Sequence, residues 1–185
     1  VDCAKSHGLA THMDGARLLN AAVAQNVPPA RLVQSIDTVS LCLSKGLGVP
    51  LGSVLVGPSI VIERARRLRK MLGGGMRQAG IIAAAGRYAL QHNVERLAQD
   101  HKRTQELATA LEGLQGLHFD RARVQTNMLF LQSPQMPALA SYLAQRGIAI
   151  TAIGESARIV LHMQIDDAAL QQITEAIQGF FTMSN

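Results

Sequence analysis

Apolar positions along this chain fall into short β-like runs and longer stretches with helical spacing, and the two kinds alternate from one end to the other. Val1 to His7 reads as the end of a helix that Gly8 closes, and Leu9 to Met13 as a short strand. Ala16 to Gln25 carries Leu18, Leu19, Ala22 and Val23 on one helical face, with Pro28 and Pro29 as its stop. Asp37 to Leu43, rich in Val, Leu and Thr, predicts a buried strand. Ser44 to Pro50 has loop chemistry, and Gly52 to Val56 predicts the next strand.

From Ser59 to Leu72 the residues Ile60, Val61, Ala65, Leu68 and Leu72 form an apolar stripe, with most arginines on the other side, so a helix is expected. Gly73, Gly74 and Gly75 break it. Ala79 to Gln91 then predicts a helix so evenly apolar that burial on most sides is expected. Val94 to Leu114 has the spacing of a long amphipathic helix and is expected to bridge two domains. Beyond it come a strand at Asn127 to Gln132, a helix at Pro137 to Arg146, and strands at Ile148 to Thr151 and Ala157 to His162. A last helix, capped by Asp166, carries Leu170, Ile173, Ile177 and Phe180.

Strands and helices in this order predict an α/β fold. The sharpest change of composition lies near Asn93, which divides the expected domains into 1–93 and 94–185. The first part has few strands to cover the apolar helix at Ala79 to Gln91. Together with the opening at Val1, that leads to the expectation that the chain is the C-terminal part of a longer protein.

Composition narrows the class without naming a chemistry. The chain has 185 residues, 48% of them hydrophobic, which is enough for one substantial core or two small ones. No apolar run approaches the roughly 20 residues a bilayer span needs, and no secretory leader is recognisable, so a cytoplasmic protein without membrane partners is expected. Cys3 and Cys42 have no metal-ligand spacing, and the histidines are scattered; neither a disulfide framework nor a metal site is expected. Much of the net charge of +5 comes from Arg64, Arg66, Arg67, Arg69 and Lys70. No aromatic residue interleaves that run, so it reads as a solvated or subunit-facing helix side and not as a nucleic-acid site.

Two segments carry the candidate chemistry, His12-Met13-Asp14-Gly15-Ala16-Arg17 and Ser44-Lys45-Gly46-Leu47-Gly48. Each follows or ends a predicted strand, and in a parallel sheet the C-terminal strand ends face the ligand crevice, so one pocket could receive both. An amine at Lys45, a carboxylate at Asp14 and a planar cation at Arg17 form a set suited to an aldehyde cofactor with a basic ring nitrogen. Lys45 is expected to reach into a pocket where loss of hydration favours the neutral, nucleophilic amine. Taken singly, Lys45 also reads as a solvated loop lysine, Asp14 as a helix cap and Arg158 as a surface strand residue. His12 is given no catalytic role.

HMDGAR, LSKGLG followed by PLGS, the loop LGGGMRQAG, and ARIVLH, in this order, resemble the low-specificity threonine aldolases over essentially the whole chain. The resemblance implies the fold type I architecture of the aspartate aminotransferase superfamily. It would place the C-terminal part of a pyridoxal-phosphate-binding large domain, with a mostly parallel sheet, before a small α/β domain, the N-terminal half of the fold being absent. It implies pyridoxal 5'-phosphate as cofactor, Lys45 as the Schiff-base lysine, Asp14 as partner of the ring nitrogen, and Arg17 near cofactor and substrate carboxylate. Arg158 would bind the substrate carboxylate, and Arg77 would lie near the cofactor phosphate.

The implied reaction is cleavage of threonine or allo-threonine to glycine and acetaldehyde, in a homodimer or homotetramer. Without an N-terminal half, supplied in the same or a separate chain, little activity is expected. Two alternatives follow from the same residues: a related lyase acting on another amino acid, and a non-catalytic truncated paralogue serving as an oligomerisation module.

Overall fold

The structure is a computed structural model and describes residues 1–183. The chain folds as two compact units, Val1–Arg96 and Leu97–Asn185, a division a few residues past the change of composition at Asn93.

In the first unit, helix α1 (Asp2–Ser6) ends at His7, and Gly8 takes the left-handed conformation with φ 65°. Strand β1 is His12–Gly15, three residues later than the apolar pattern at Leu9 suggests. Thr11 explains the shift. Its N–H and hydroxyl both donate to Asp37 Oδ2 (2.7 and 2.8 Å), its hydroxyl accepts from Asp37 N–H (3.0 Å), and its carbonyl accepts the first main-chain bond from Thr38 N–H (3.2 Å), so pairing begins at this clamp while Leu9 remains exposed. Helix α2 (Leu18–Gln25) ends at Asn26, whose left-handed φ of 51° suits an asparagine. The two prolines do more than stop it: Pro29 opens a short helix α3 (Pro29–Val33), because a first-turn position needs no N–H.

Strand β2 (Thr38–Cys42) lies parallel to β1, and β3 (Ser53–Val56) pairs with β2 antiparallel, giving the order β1-β2-β3. Helix α4 (Ser59–Met71) and helix α5 (Gly80–His92) flank the glycine loop. Here the expectation of burial fails. Only Gly86 and Ala89 of α5 are buried, Ile81 is 82% exposed, and no residue of α4 is buried. An apolar pattern records a demand for cover, and this unit meets it only along the narrow side of α5 that carries Gly86 and Ala89.

The second unit begins with α6 (Leu97–Leu111), shorter than the pattern over Val94 to Leu114 and packed within the unit against a strand and a helix. A 3-10 turn at Arg121–Arg123, capped by Asp120, precedes β4 (Met128–Gln132) and α7 (Met136–Ala144). Strands β5 (Thr151–Ile153) and β6 (Ser156–Val160) and the long α8 (Asp167–Met183) follow, with Asp166 Oδ1 accepting from Ala169 N–H at 2.8 Å. The sheet order is β4-β6-β5, wholly antiparallel. One face, through Leu129, Leu131, Ala157 and Ile159, is buried with Leu107, Leu111, Leu139, Leu143 and Ile177 from the helices. Each fully buried aliphatic side chain in this core contributes about 1.5–3 kcal/mol. The other face exposes Phe130, Arg158 and Ile153.

Candidate active site

Because β1 and β2 are parallel, with Asp14 opposite Ser40 and Gly15 opposite Leu41, the segments that leave their C-terminal ends emerge at the same sheet edge. Asp14, Arg17 and Lys45 are therefore carried by neighbouring chain segments. Gly15 makes the close approach possible: a Cβ there would stand 2.8 Å from Ser40 O and 3.0 Å from Val39 Cγ1.

Asp14 is exposed, and its Oδ1 accepts the N–H of Ala16 at 3.0 Å, a local turn that orients the carboxylate. Among the described residues its other oxygen has no protein donor. Arg17 is half-buried at the start of α2, and its guanidinium likewise makes no ion pair or side-chain hydrogen bond there.

The loop that carries Lys45 is anchored from within. Leu43, Leu47 and Val49 are buried, Val49 N–H donates to Leu43 O (3.1 Å), and Gly48 N–H donates to Lys45 O (2.9 Å). Gly48 has φ 73°, a conformation that favours glycine. From α5's C-terminal end, Asn93 Nδ2 donates to Leu47 O at 2.8 Å. Lys45 itself is exposed and, among the described residues, unpaired. The expected desolvated pocket is thus not built by this unit, since no element of it lies over the lysine.

Sequence reasoning missed the small cluster beside it. Cys42 Sγ lies 3.5 Å from Ser44 Oγ. Burial pushes the Cys42 thiol up, but hydrogen bonding from Ser44, the charge of Lys45 and a hydrogen bond with Ser53 together outweigh it and hold the thiol below its ordinary value. Only the register, which sets Cys42 opposite Ser53, reveals this grouping. His12, adjacent in sequence to the site, is engaged across the sheet with Thr38 Oγ1 at 2.8 Å.

Arg77 stands on a different loop of the same unit, exposed, just before Gln78 with φ 47°. From the last turn of α4 the Lys70 side chain folds over Gly75, its Nζ 3.2 Å from where a Cβ would be, so a second cation lies near the glycines. Arg158 belongs to the second unit, where β6 presents it on the exposed face between Phe130 of β4 and Thr151 of β5. No group of His, Cys, Asp or Glu among the described residues could hold a metal ion, and none of the described helices is long and apolar enough to cross a membrane.

A family model described as beta-eliminating lyase matches residues 1–134. Low-specificity L-threonine aldolase 1 of Arabidopsis thaliana is 44% identical over 170 residues, covering 89% of this chain and 48% of its own length. The low specificity L-threonine aldolase of Escherichia coli K12 is 42% identical over 178 residues, covering 95% of this chain and 52% of its own. The chain thus spans about half the length of the curated relatives it matches. Among solved structures, a threonine aldolase of Leishmania major superposes with a TM-score of 0.78 at 19% identity, over 97% of this chain and 54% of that one. Serine palmitoyltransferase of Sphingomonas wittichii does so with a TM-score of 0.75 at 18% identity, over 96% and 48%. These two likenesses establish a shared fold.

Proposed function

The chain belongs to the beta-eliminating lyase family, and from that membership we propose that it is the lysine-bearing part of a pyridoxal-phosphate-dependent lyase. The substrate would be a β-hydroxy-α-amino acid such as threonine or allo-threonine, and the products glycine and an aldehyde. The observation that carries the reading is the parallel pairing of β1 and β2, which brings the Asp14 and Lys45 segments to one sheet edge.

When bound, pyridoxal phosphate supplies an aldehyde that an amine can capture and a ring that takes up the electron pair released by Cα–Cβ cleavage. The residues present suit such a group. Lys45 offers an unpaired amine on a loop whose apolar anchors fix its base. Asp14 keeps one carboxylate oxygen for a ring N–H while the other is occupied by Ala16, so the negative charge can hold a proton on that ring atom. Arg17 presents its planar fork beside them for a hydroxyl or a carboxylate. Arg77 is assigned to the phosphate, and Arg158, exposed and without an ion-pair partner among the described residues, to the substrate carboxylate.

The relatives named as threonine aldolases support the choice of substrate class. We assign the working protein to the cytoplasm as a homo-oligomer, with the N-terminal half of its fold supplied by further polypeptide. The exposure of Lys45 and Asp14 supports little turnover by these residues alone, because water competes for every charge at an open edge.

Borohydride trapping tests the reading. Protein incubated with pyridoxal phosphate and reduced should carry the pyridoxyl mass on Lys45 in preference to Lys5, Lys70 and Lys102, and Lys45→Ala should lose it. Labelling spread evenly over the lysines would overturn the assignment. A second reading, a non-catalytic interaction module, is favoured by the exposed Val54, Leu55 and Val56 of β3 together with Ile60, Leu72 and Ile81. It predicts that even labelling. Product analysis with threonine and with serine separates aldol cleavage from elimination by a related lyase.

A further inference from the structure

The second unit contains a place where its sheet stops one rung short. The pairs Thr151↔Arg158, Ala152↔Ala157 and Ile153↔Ser156 define the β5–β6 register, and continuing it sets Ala149 opposite Val160. On the far side, Leu161 N–H donates to Asn127 O (2.9 Å), and Leu161 O accepts from Asn127 Nδ2 (2.8 Å). Both main-chain groups of Leu161 therefore face β4. Because these groups alternate sides along a strand, those of Val160 face the opposite edge, toward Ala149. Among the described residues they meet no main-chain partner there.

A crevice of about 200 Å³ occupies the gap, bounded by Ile148, Ile150, Arg158, Val160, Ile165 and Ile173. The facing segment already has the alternation of a strand. Ile148 and Ile150 pack against the core while Ala149 and Thr151 are exposed, matching the buried Ile159 and Leu161 and the half-exposed Val160 across the gap. Closing it thus requires a lateral shift without any side chain changing face. The ends of the segment are held, by Ile148 N–H on Leu143 O (3.0 Å) beside Gly147 (φ 73°) and by the Thr151 pairing, so Ala149 and Ile150 are the residues left to move.

We propose that Ala149–Ile150 is a strap that zips onto β6. In the closed position Ala149 and Val160 exchange both main-chain hydrogen bonds, β5 lengthens, and the crevice beside Arg158 disappears. In the open position that space and the Val160 main chain are accessible. The room next to Arg158 is therefore set by a two-position element of the fold, whatever ligand Arg158 binds.

Amide hydrogen exchange in the whole chain tests this. Ala149→Pro removes the N–H the closed rung needs, while the open arrangement uses no hydrogen bond from that N–H. If the strap closes, the Val160 amide exchanges at least about tenfold more slowly in the unsubstituted protein than in Ala149→Pro, with Leu161 unchanged in both. Equal Val160 rates overturn the proposal. Should Ala149→Pro fail to fold, cross-linking decides. In the closed form an Ala149→Cys, Val160→Cys pair would have Cα atoms about 5.5 Å apart, within disulfide range. Under mild oxidation it should close as fully as Ile153→Cys, Ser156→Cys, a pair that already forms a rung. A 149–160 pair that stays reduced while the 153–156 pair closes also overturns the proposal.

Discussion

The two units draw on similar apolar patterns and reach opposite ends. In the second, Leu107, Leu111, Leu129, Leu131, Leu139, Leu143 and Ile177 are all fully buried, and helices from three parts of the sequence share one sheet face. In the first, β3 is exposed along its whole length, Leu72 is 86% exposed, and Ile60 and Ile81 are nearly as open. The difference teaches that periodicity identifies the side of an element that seeks cover but not the location of the cover. It also bears on the candidate residues, unit by unit: Arg158 stands on a scaffold with its own closed core, whereas Asp14 and Lys45 stand on or beside a sheet of three strands with little over it.

The sharpest test of this contrast is a pair of truncations read by denaturant unfolding. Leu131→Ala should cost about 2–5 kcal/mol, since it opens a cavity in a closed core. Ile81→Ala should stay within about 0.5 kcal/mol, as surface changes do. A comparable loss at both positions would mean that something covers Ile81 in solution. Next in size is Gly15→Ala in the first unit, where the new methyl would meet Ser40 O and Val39 Cγ1. A loss of about 1–3 kcal/mol is expected, measured as a drop in the midpoint of that unit's unfolding.

The smallest effects are those of pH, and both have the same sign. Burial holds the His101 imidazole below its ordinary value against the opposing charge of Asp100, so the unfolded chain takes up the proton first. The second unit should lose stability as pH falls through the ordinary histidine range toward the depressed folded value, and His101→Gln should flatten that slope. In the first unit Thr11's N–H and hydroxyl, with Lys5 behind them, hold the Asp37 carboxyl low. Its contribution is present above the ordinary carboxylate range and is lost only as pH falls below it, through the depressed value. Thermal midpoints across pH would place the two losses in separate windows; a single shared window would contradict the assignment to separate groups.

Much of the fold was legible because its causes are local. The stop of α1 at Gly8, the span of α4 up to the glycine loop, and the capping of α8 by Asp166 each depend on residues a few positions apart. Strand limits were less legible. At β1 the decisive contact is Thr11 with Asp37, and β5 begins at Thr151 instead of Ile148 because pairing with β6 extends only that far. Lys45 and Asp14 stood out by residue type and spacing, and the β1–β2 pairing sets their segments side by side. The thiol cluster at Cys42 was not, because Ser53 comes to it only through an antiparallel register.

By itself the sequence determined the kinds of element, their order, and the residue types offered to a ligand, since helix spacing, turn chemistry and side-chain functional groups act over a few positions. Tertiary structure decided the rest: that β1 and β2 run parallel and bring Asp14 and Lys45 to one edge, that α5 lies open, and that β6 keeps an unpaired rung at Val160. Those outcomes depend on which distant segments share hydrogen bonds and cover one another, and main-chain pairing of that kind leaves almost no trace in side-chain pattern.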